Sequence, residues 1–305
     1  MKSISIIIPT YNPKKYLPKL FQALDTQTIP FELIIIDSSS TDGSATLLKQ
    51  KADKFISIDK NNFDHGGTRT QALKEASNDI VIFLTQDALP IDQDTLKNLV
   101  LCLEENKKIA AAYSRQLPHE RTSFFGKHLR YFNYPKNSYI RSFEDKNIYG
   151  LKTAFLSNSA AAYKKEALLE IGGFYEHLIV GEDNYAGAKL LLNGYKIAYC
   201  AKSKVYHSHS YTLWQEFQRY FDIGVFHIEE AWLIEIFGKA EGEGMRYIKS
   251  EFNYLLEQKE YLYIPQFLIR NGLKFLGYKL GKNYKKLPKK LAYFFSMHKA
   301  WWKYK

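Results

Sequence analysis

Apolar positions in the first third of the chain gather in short, nearly unbroken runs at residues 3–8, 31–36 and 80–84, and each run stops at a polar cluster. Ile-rich runs of this length read as strands buried on both faces, the pattern of a parallel sheet. Between them the period lengthens: Leu17, Leu20, Phe21 and Leu24 share one face of a helix over residues 13–24. A turn-and-cap cluster at 38–44 introduces a second helix at 45–51. This alternation is βαβ logic and predicts parallel neighbours. A short strand at 56–58, a helix at 66–76 opening on Gly66-Gly67, a helix at 92–106 and a strand at 109–114 continue it.

Beyond that point the pattern changes. Residues 117–150 are aromatic, basic and irregular, and a loop of that length in a compact domain is functional or disordered; its aromatic content argues against disorder. Strand character returns at 155–163, followed by a helix at 164–171, a turn at Gly172-Gly173-Phe174 and a helix at 182–193. Short strands are expected at 196–199 and 204–206. After Leu213 the chain is almost wholly helical, with breaks near 238–244, Gly281 and Pro288. The expected organisation is an α/β domain over 1–235 and a basic, aromatic, amphipathic helical tail over 236–305.

Charge sharpens that division. The net charge of +11 suggests nucleic acid until its distribution is seen: residues 261–305 hold eleven Lys or Arg and no Asp or Glu, leaving 32 of each sign in the first 260. The catalytic-looking part is neutral, so nucleic acid is not an expected partner. Cys102 and Cys200 have no metal-ligand spacing and read as buried small hydrophobes of a reducing compartment. The first strand begins at once, leaving no room for a signal peptide. No apolar run approaches the ~18 residues that cross a bilayer. The expected location is cytoplasmic, peripheral on the inner face of the plasma membrane.

The polar clusters at the strand ends are the candidate chemistry, because an open α/β sheet builds its ligand crevice at the carboxyl ends of its strands. They are Pro9-Thr10-Tyr11, then Asp37, then Thr85-Gln86-Asp87. Asp37 reads equally as a cap for the next helix, and Asp87 as a turn residue before Ala88-Leu89-Pro90. Gly66-Gly67-Thr68-Arg69 opens a helix on small residues, where backbone N–H groups and the helix dipole suit an anion. His207 and His209 lie two apart on an extended segment and so share a face. Glu182-Asp183 opens a helix, where acids also stabilise the dipole.

Taken in order, these motifs resemble a family 2 glycosyltransferase of the GT-A fold, over about residues 3–235. The stretches Asn62-Phe63-Asp64-His65-Gly66-Gly67-Thr68-Arg69 and Leu84-Thr85-Gln86-Asp87-Ala88 look most like the family's bacterial dTDP-rhamnose-dependent rhamnosyltransferases. The resemblance implies a mixed, mainly parallel Rossmann-like sheet flanked by helices. It places Pro9, Thr10, Tyr11, Asp37, Arg69, Gln86 and Asp87 on the nucleotide-sugar donor, and a divalent metal, Mg²⁺ or Mn²⁺, on Asp87 and His207. His209 then reaches the diphosphate. Thr85, Gln86 and Asp87 stand where the family has its D-X-D motif, so Thr85 replaces the first acid and only Asp87 is kept. Asp183 is implied as catalytic base, with Glu182, Gly173 and Phe174 on the acceptor side; at an ordinary Asp pKa of ~3.9 it would be ionised at neutral pH.

The implied reaction is inverting transfer of L-rhamnose from dTDP-β-L-rhamnose to a hydroxyl of a lipid-diphosphate-linked glycan. UDP-galactofuranose or a UDP-N-acetylhexosamine is the alternative donor, and a non-catalytic binding module the alternative outside the class. Lysines interleave with Leu268, Phe275, Leu276, Phe294, Trp301 and Trp302 in the tail. Such helices suit an anionic membrane, the catalytic domain, or a second subunit in a homodimer.

Overall fold

The computed structural model describes residues 3–239 and 242–305, excepting the side chain of Tyr304. One sheet carries nine strands: β1 (Ile4–Thr10), β2 (Phe31–Asp37), β3 (Lys54–Ser57), β4 (Ile80–Leu84), β5 (Leu89–Pro90), β6 (Ile109–Leu117), β7 (Tyr139–Arg141), β8 (Ala160–Lys164) and β9 (Lys196–Tyr206). Their order is β3-β2-β1-β4-β8-β6-β9-β5, with β7 also on β9. β8 runs antiparallel to both β4 and β6, so β6 and its parallel partner β9 point the same way as β1 to β4. The carboxyl ends of β1, β2, β4, β6 and β9 therefore meet along one edge, which is where the polar clusters lie.

The helices are α1 (Leu17–Asp25), α2 (Ala45–Lys51), α3 (His65–Glu75), α4 (Thr95–Glu104), α5 (Phe124–Asn133), α6 (Lys146–Tyr149), α7 (Lys165–Glu170), α8 (Glu182–Leu192), α9 (Leu213–Glu229), α10 (Ala231–Phe237), α11 (Glu243–Glu257), α12 (Ile264–Lys282) and α13 (Lys289–Phe295). Alternate residues of the central strands feed two cores. Ile4, Ile6, Ile8, Ile80 and Ile82 pack with Leu17, Leu20 and Leu99 on one face. Ile7, Val81 and Phe83 pack on the other with Leu73, Leu190 and Phe221.

Trp301, Trp302, Tyr284 and Ala292 join that second core, and Trp301 Nε1 donates to the His177 carbonyl at 2.6 Å. The division expected between residues 235 and 236 falls inside α10, and the C-terminal segment packs on the α/β part. Gly281, read from sequence as a break, lies buried within α12. A Cβ there would run into the Phe221 carbonyl, one at Gly277 into that of Phe217, and one at Gly224 into that of Tyr278. Only glycine lets α9 and α12 come this close. Part of the break expected at 238–244 lies outside the described residues.

Three segments differ from the sequence reading. The supposed loop at 117–150 contains α5, β7 and α6. The two short strands expected after 196 are one strand, β9, with a register shift against β6 between Ser114 and Arg115. The strand expected at 155–163 is β8 alone, preceded by a 3₁₀ turn at Gly150–Ala154.

Candidate active site

At the ends of β1 and β2 the parallel register sets Thr10 beside Asp37. The Thr10 hydroxyl donates to Asp37 Oδ1 at 2.8 Å, the Ser40 hydroxyl to the same oxygen at 2.5 Å, and the Ser40 amide to Oδ2 at 2.8 Å. Asp37 is only 2% exposed. A carboxylate offers about four acceptor sites, so three are engaged in holding the two loops together and one is left for a ligand N–H. Pro9 pairs with Ile36 in the same register. Tyr11 is 38% exposed, with Lys60 Nζ 2.6 Å from its hydroxyl and 4.5 Å from its ring centre. Gln86 is committed to Tyr11: Oε1 accepts from the Tyr11 amide at 2.9 Å and Nε2 donates to the Tyr11 carbonyl at 3.1 Å. It thereby orients the aromatic loop.

Beyond β4 and β9 lies the second cluster. Asp87, His207 and His209 each offer a ligand atom, all within 4.8 Å of one another. His207 Nε2 is 3.5 Å from Asp87 Oδ1, and the two imidazole rings stand edge to face at 4.8 Å. Burial pushes His207 down to about 3 and lowers His209, so both rings are neutral at physiological pH. Burial opposes charge on Asp87, yet at the acid pH where its carboxyl titrates, charge on His207 and then on His209 carries it below the usual range. One carboxylate and two neutral imidazoles make a fitting divalent-cation set.

The tautomer of His207 follows from Gln116, near the end of β6. Gln116 Oε1 already accepts from the Arg130 guanidinium and lies 2.9 Å from His207 Nδ1, while its Nε2 donates to Ser157 at 2.8 Å. An oxygen in that position calls for Nδ1–H, which leaves the Nε2 lone pair facing Asp87. Gln116 and Arg130 were missed from sequence, although β6 ends on a polar cluster by the same logic that exposed Asp37. Arg219 of α9 was missed too; it stands 5.6 Å from the Tyr211 ring, which is itself 5.4 Å from that of His209.

The third group is acidic. Gly181, at φ +81°, turns the chain into α8, whose first residues are Glu182 and Asp183. Arg69, expected on the donor, is instead 6% exposed, with Nη1 3.5 Å from Glu182 Oε1 and donating to the His65 carbonyl at 2.8 Å. Burial works against ionisation of Glu182, but Arg69 together with His65 and hydrogen bonds, Asn158's among them, outweighs it and holds the carboxyl low. Asp183 accepts from the Asn158 amide at 3.2 Å and the Asn184 amide at 2.8 Å. Burial, and then the Glu182 charge, nevertheless push it up to about 7. The ordinary Asp value expected from sequence is thus corrected: two neighbouring acids are driven apart, one fixed as an anion and the other poised to exchange a proton near neutrality.

Gly173 and Phe174, expected on the acceptor side, are supports. Gly173, at φ +80°, packs against Thr70, and buried Phe174 meets Phe83 and Tyr163 edge-on at 5.0 and 5.5 Å. The Phe174 amide donates to Thr70 Oγ1 at 2.8 Å, which fixes the loop leading to Glu182.

A crevice at the carboxyl ends of a Rossmann-like sheet, lined by Asp37, the cluster of Asp87, His207 and His209, and a near-neutral Asp183, has the layout of a GT-A glycosyltransferase. Its solved likenesses have that fold. The mannosyltransferase PcManGT of Pyrobaculum calidifontis in complex with GDP-Man and Mn²⁺ superposes with a TM-score of 0.61 at 18% identity, over 99% of this chain and 88% of that one. Staphylococcus aureus TarS 1-349 in complex with UDP-GlcNAc gives 0.56 at 18%, over 93% and 92%. Residues 5–172 match the model of glycosyl transferase family 2, and the chain belongs to that family. It is 46% identical over 302 residues to the O-antigen chain rhamnosyltransferase RfbN of Salmonella typhimurium strain LT2, covering 98% of this chain and 96% of that protein. It is 45% identical over 305 residues to the O-antigen chain rhamnosyltransferase WbaN of Salmonella anatum, covering 99% of this chain and 96% of that protein.

Proposed function

We propose that this glycosyltransferase moves L-rhamnose, with inversion, from dTDP-β-L-rhamnose to a hydroxyl of a lipid-diphosphate-linked O-antigen saccharide. The observation that carries the choice of sugar is the 46% identity to RfbN across nearly the whole of both chains. In the reaction Asp183 takes the proton of the acceptor hydroxyl as that oxygen attacks the anomeric carbon from the face opposite the diphosphate. The bond between the anomeric carbon and the phosphate oxygen breaks, its electron pair leaves with dTDP, and the product is an α-L-rhamnoside. A base near 7 suits this step better than an ordinary aspartate, because proton-transfer driving force grows with base strength until the base is itself protonated.

Asp87, His207 and His209 would hold a divalent cation, which when bound neutralises charge on the departing diphosphate. Two imidazoles beside one carboxylate favour Mn²⁺ over Mg²⁺, which prefers an all-oxygen shell. Tyr11 offers an aromatic face to the thymine, and the free lone pair of Asp37 can accept its ring N–H. The enzyme would work at the cytoplasmic face of the plasma membrane as a peripheral protein; no described helix is long and apolar enough to cross a membrane.

The test is a donor competition with purified protein, reading nucleoside diphosphate release and the anomeric configuration of the product by NMR. Preference for dTDP-rhamnose and an α-product are expected. Preference for UDP-galactofuranose or a UDP-N-acetylhexosamine overturns the sugar assignment, and a retained configuration overturns the mechanism.

A further inference from the structure

Helix α12 has two unlike faces. Inward, Phe267, Arg270, Lys274, Gly277 and Gly281 are buried, with Arg270 paired to Glu216 and donating to the Tyr211 carbonyl at 3.1 Å. Outward, Leu268, Ile269, Phe275 and Leu276 are exposed, Leu268 at 62% and Phe275 at 64%. They follow helical spacing and form one stripe, interrupted only by Gly272, where a Cβ would meet nothing within 4 Å. The turn before the helix adds Tyr261 and Leu262, the latter 94% exposed. A run of aliphatic and aromatic side chains on the outside of a helix that is tightly packed on the inside calls for an occupant.

Charge selects it. Lys279 continues the stripe, and Lys282, Lys285, Lys286, Lys289 and Lys290 follow within a dozen residues. No Asp or Glu occurs from residue 261 onward, and this segment holds all of the chain's net positive charge. An apolar stripe ending in a lysine cluster complements a surface that is apolar at depth and anionic at its rim. Tyr261, Tyr263 and Tyr293, all exposed, are suited to the boundary between the two.

We infer that the outward face of α12 seats on an anionic lipid bilayer, with Leu262, Leu268, Ile269, Phe275 and Leu276 entering the acyl boundary and the lysines meeting the headgroups. This deepens the peripheral placement proposed above and needs no sugar transfer, so its failure would leave the transferase reading standing. The same helix has the bilayer on one face and, through Arg270 and Tyr211, the neighbourhood of His209 on the other.

The experiment is sedimentation of the full chain with vesicles of phosphatidylcholine alone or mixed with phosphatidylglycerol. Binding to the mixed vesicles should exceed binding to phosphatidylcholine by about tenfold at ~0.1 M salt and fall as salt rises. Leu268→Glu with Phe275→Glu should lower binding to the mixed vesicles about tenfold while circular dichroism and Tm stay unchanged. Should those charges unfold the chain, Leu268→Ser with Phe275→Ser replaces them with the same expectation. Equal sedimentation of variant and wild type, or no vesicle binding by the wild type, overturns the inference. So does light scattering that shows a wild-type dimer and a monomeric variant, because the face then belongs to a second copy.

Discussion

Glu182→Gln tests the electrostatic logic of the acid pair. Of the rise in Asp183 from 3.8 to about 7, burial is the largest cause and the Glu182 charge the next. Glutamine keeps the size of the side chain and removes its charge. Arg69, which now faces Glu182 at 3.5 Å, would be left without a counter-charge and would itself favour the Asp183 anion. Both changes act in the same direction and should lower the acid limb of kcat/KM by about one pH unit, from near 7 to near 6. At pH 5.5 a base of pKa 7 is only ~3% ionised and one of pKa 6 about 24%, roughly an eightfold gain. A weaker base loses about threefold per unit in proton transfer. The variant should therefore be about threefold slower than wild type above pH 8 and two- to threefold faster at pH 5.5. The assay is dTDP release across pH 5 to 9 at low donor concentration. A variant limb that stays at 7, or a wild-type profile flat through this range, would refute the assignment of Asp183 as the titrating base.

Asp183→Asn should lower turnover by at least ~10²-fold while leaving donor affinity within about twofold, as measured by calorimetry with dTDP. Gln116→Leu should weaken Mn²⁺ binding by about 10- to 100-fold in electron paramagnetic resonance titrations, because His207 loses the partner that fixes its ring; Gln116→Glu should restore much of it. Asp87→Ala should abolish the effect of chelator on donor binding. Gly281→Ala should lower Tm by several degrees, since its methyl group meets the Phe221 carbonyl and overpacking of this kind costs about 1–3 kcal/mol.

What the sequence disclosed is what local pattern encodes. β1, β2 and β4 are legible because strands buried on both faces need unbroken apolar runs, Asp37 and Asp87 because they lie at or just past the ends of such strands, and Glu182-Asp183 because they open a helix. α5 is not legible, since its buried face carries His128 and Arg130, received by Ser250, 122 positions further on, and by Gln116 of the preceding strand. The role of Arg69 was hidden for the same reason: its partner Glu182 lies 113 positions away. The near-neutral Asp183 is likewise a product of enclosure and a neighbour's charge, neither of which is a property of the residue type.

The glycine seam between α9 and α12 has a bearing on how the molecule opens. Where backbones touch through Gly224, Gly277 and Gly281, water cannot reach the amides of one helix while the other stays in place. The two should therefore exchange hydrogen for deuterium as a single cooperative unit, at a rate near that of global unfolding. Protection spread evenly along both helices would mark the C-terminal segment as part of the last structure to be lost.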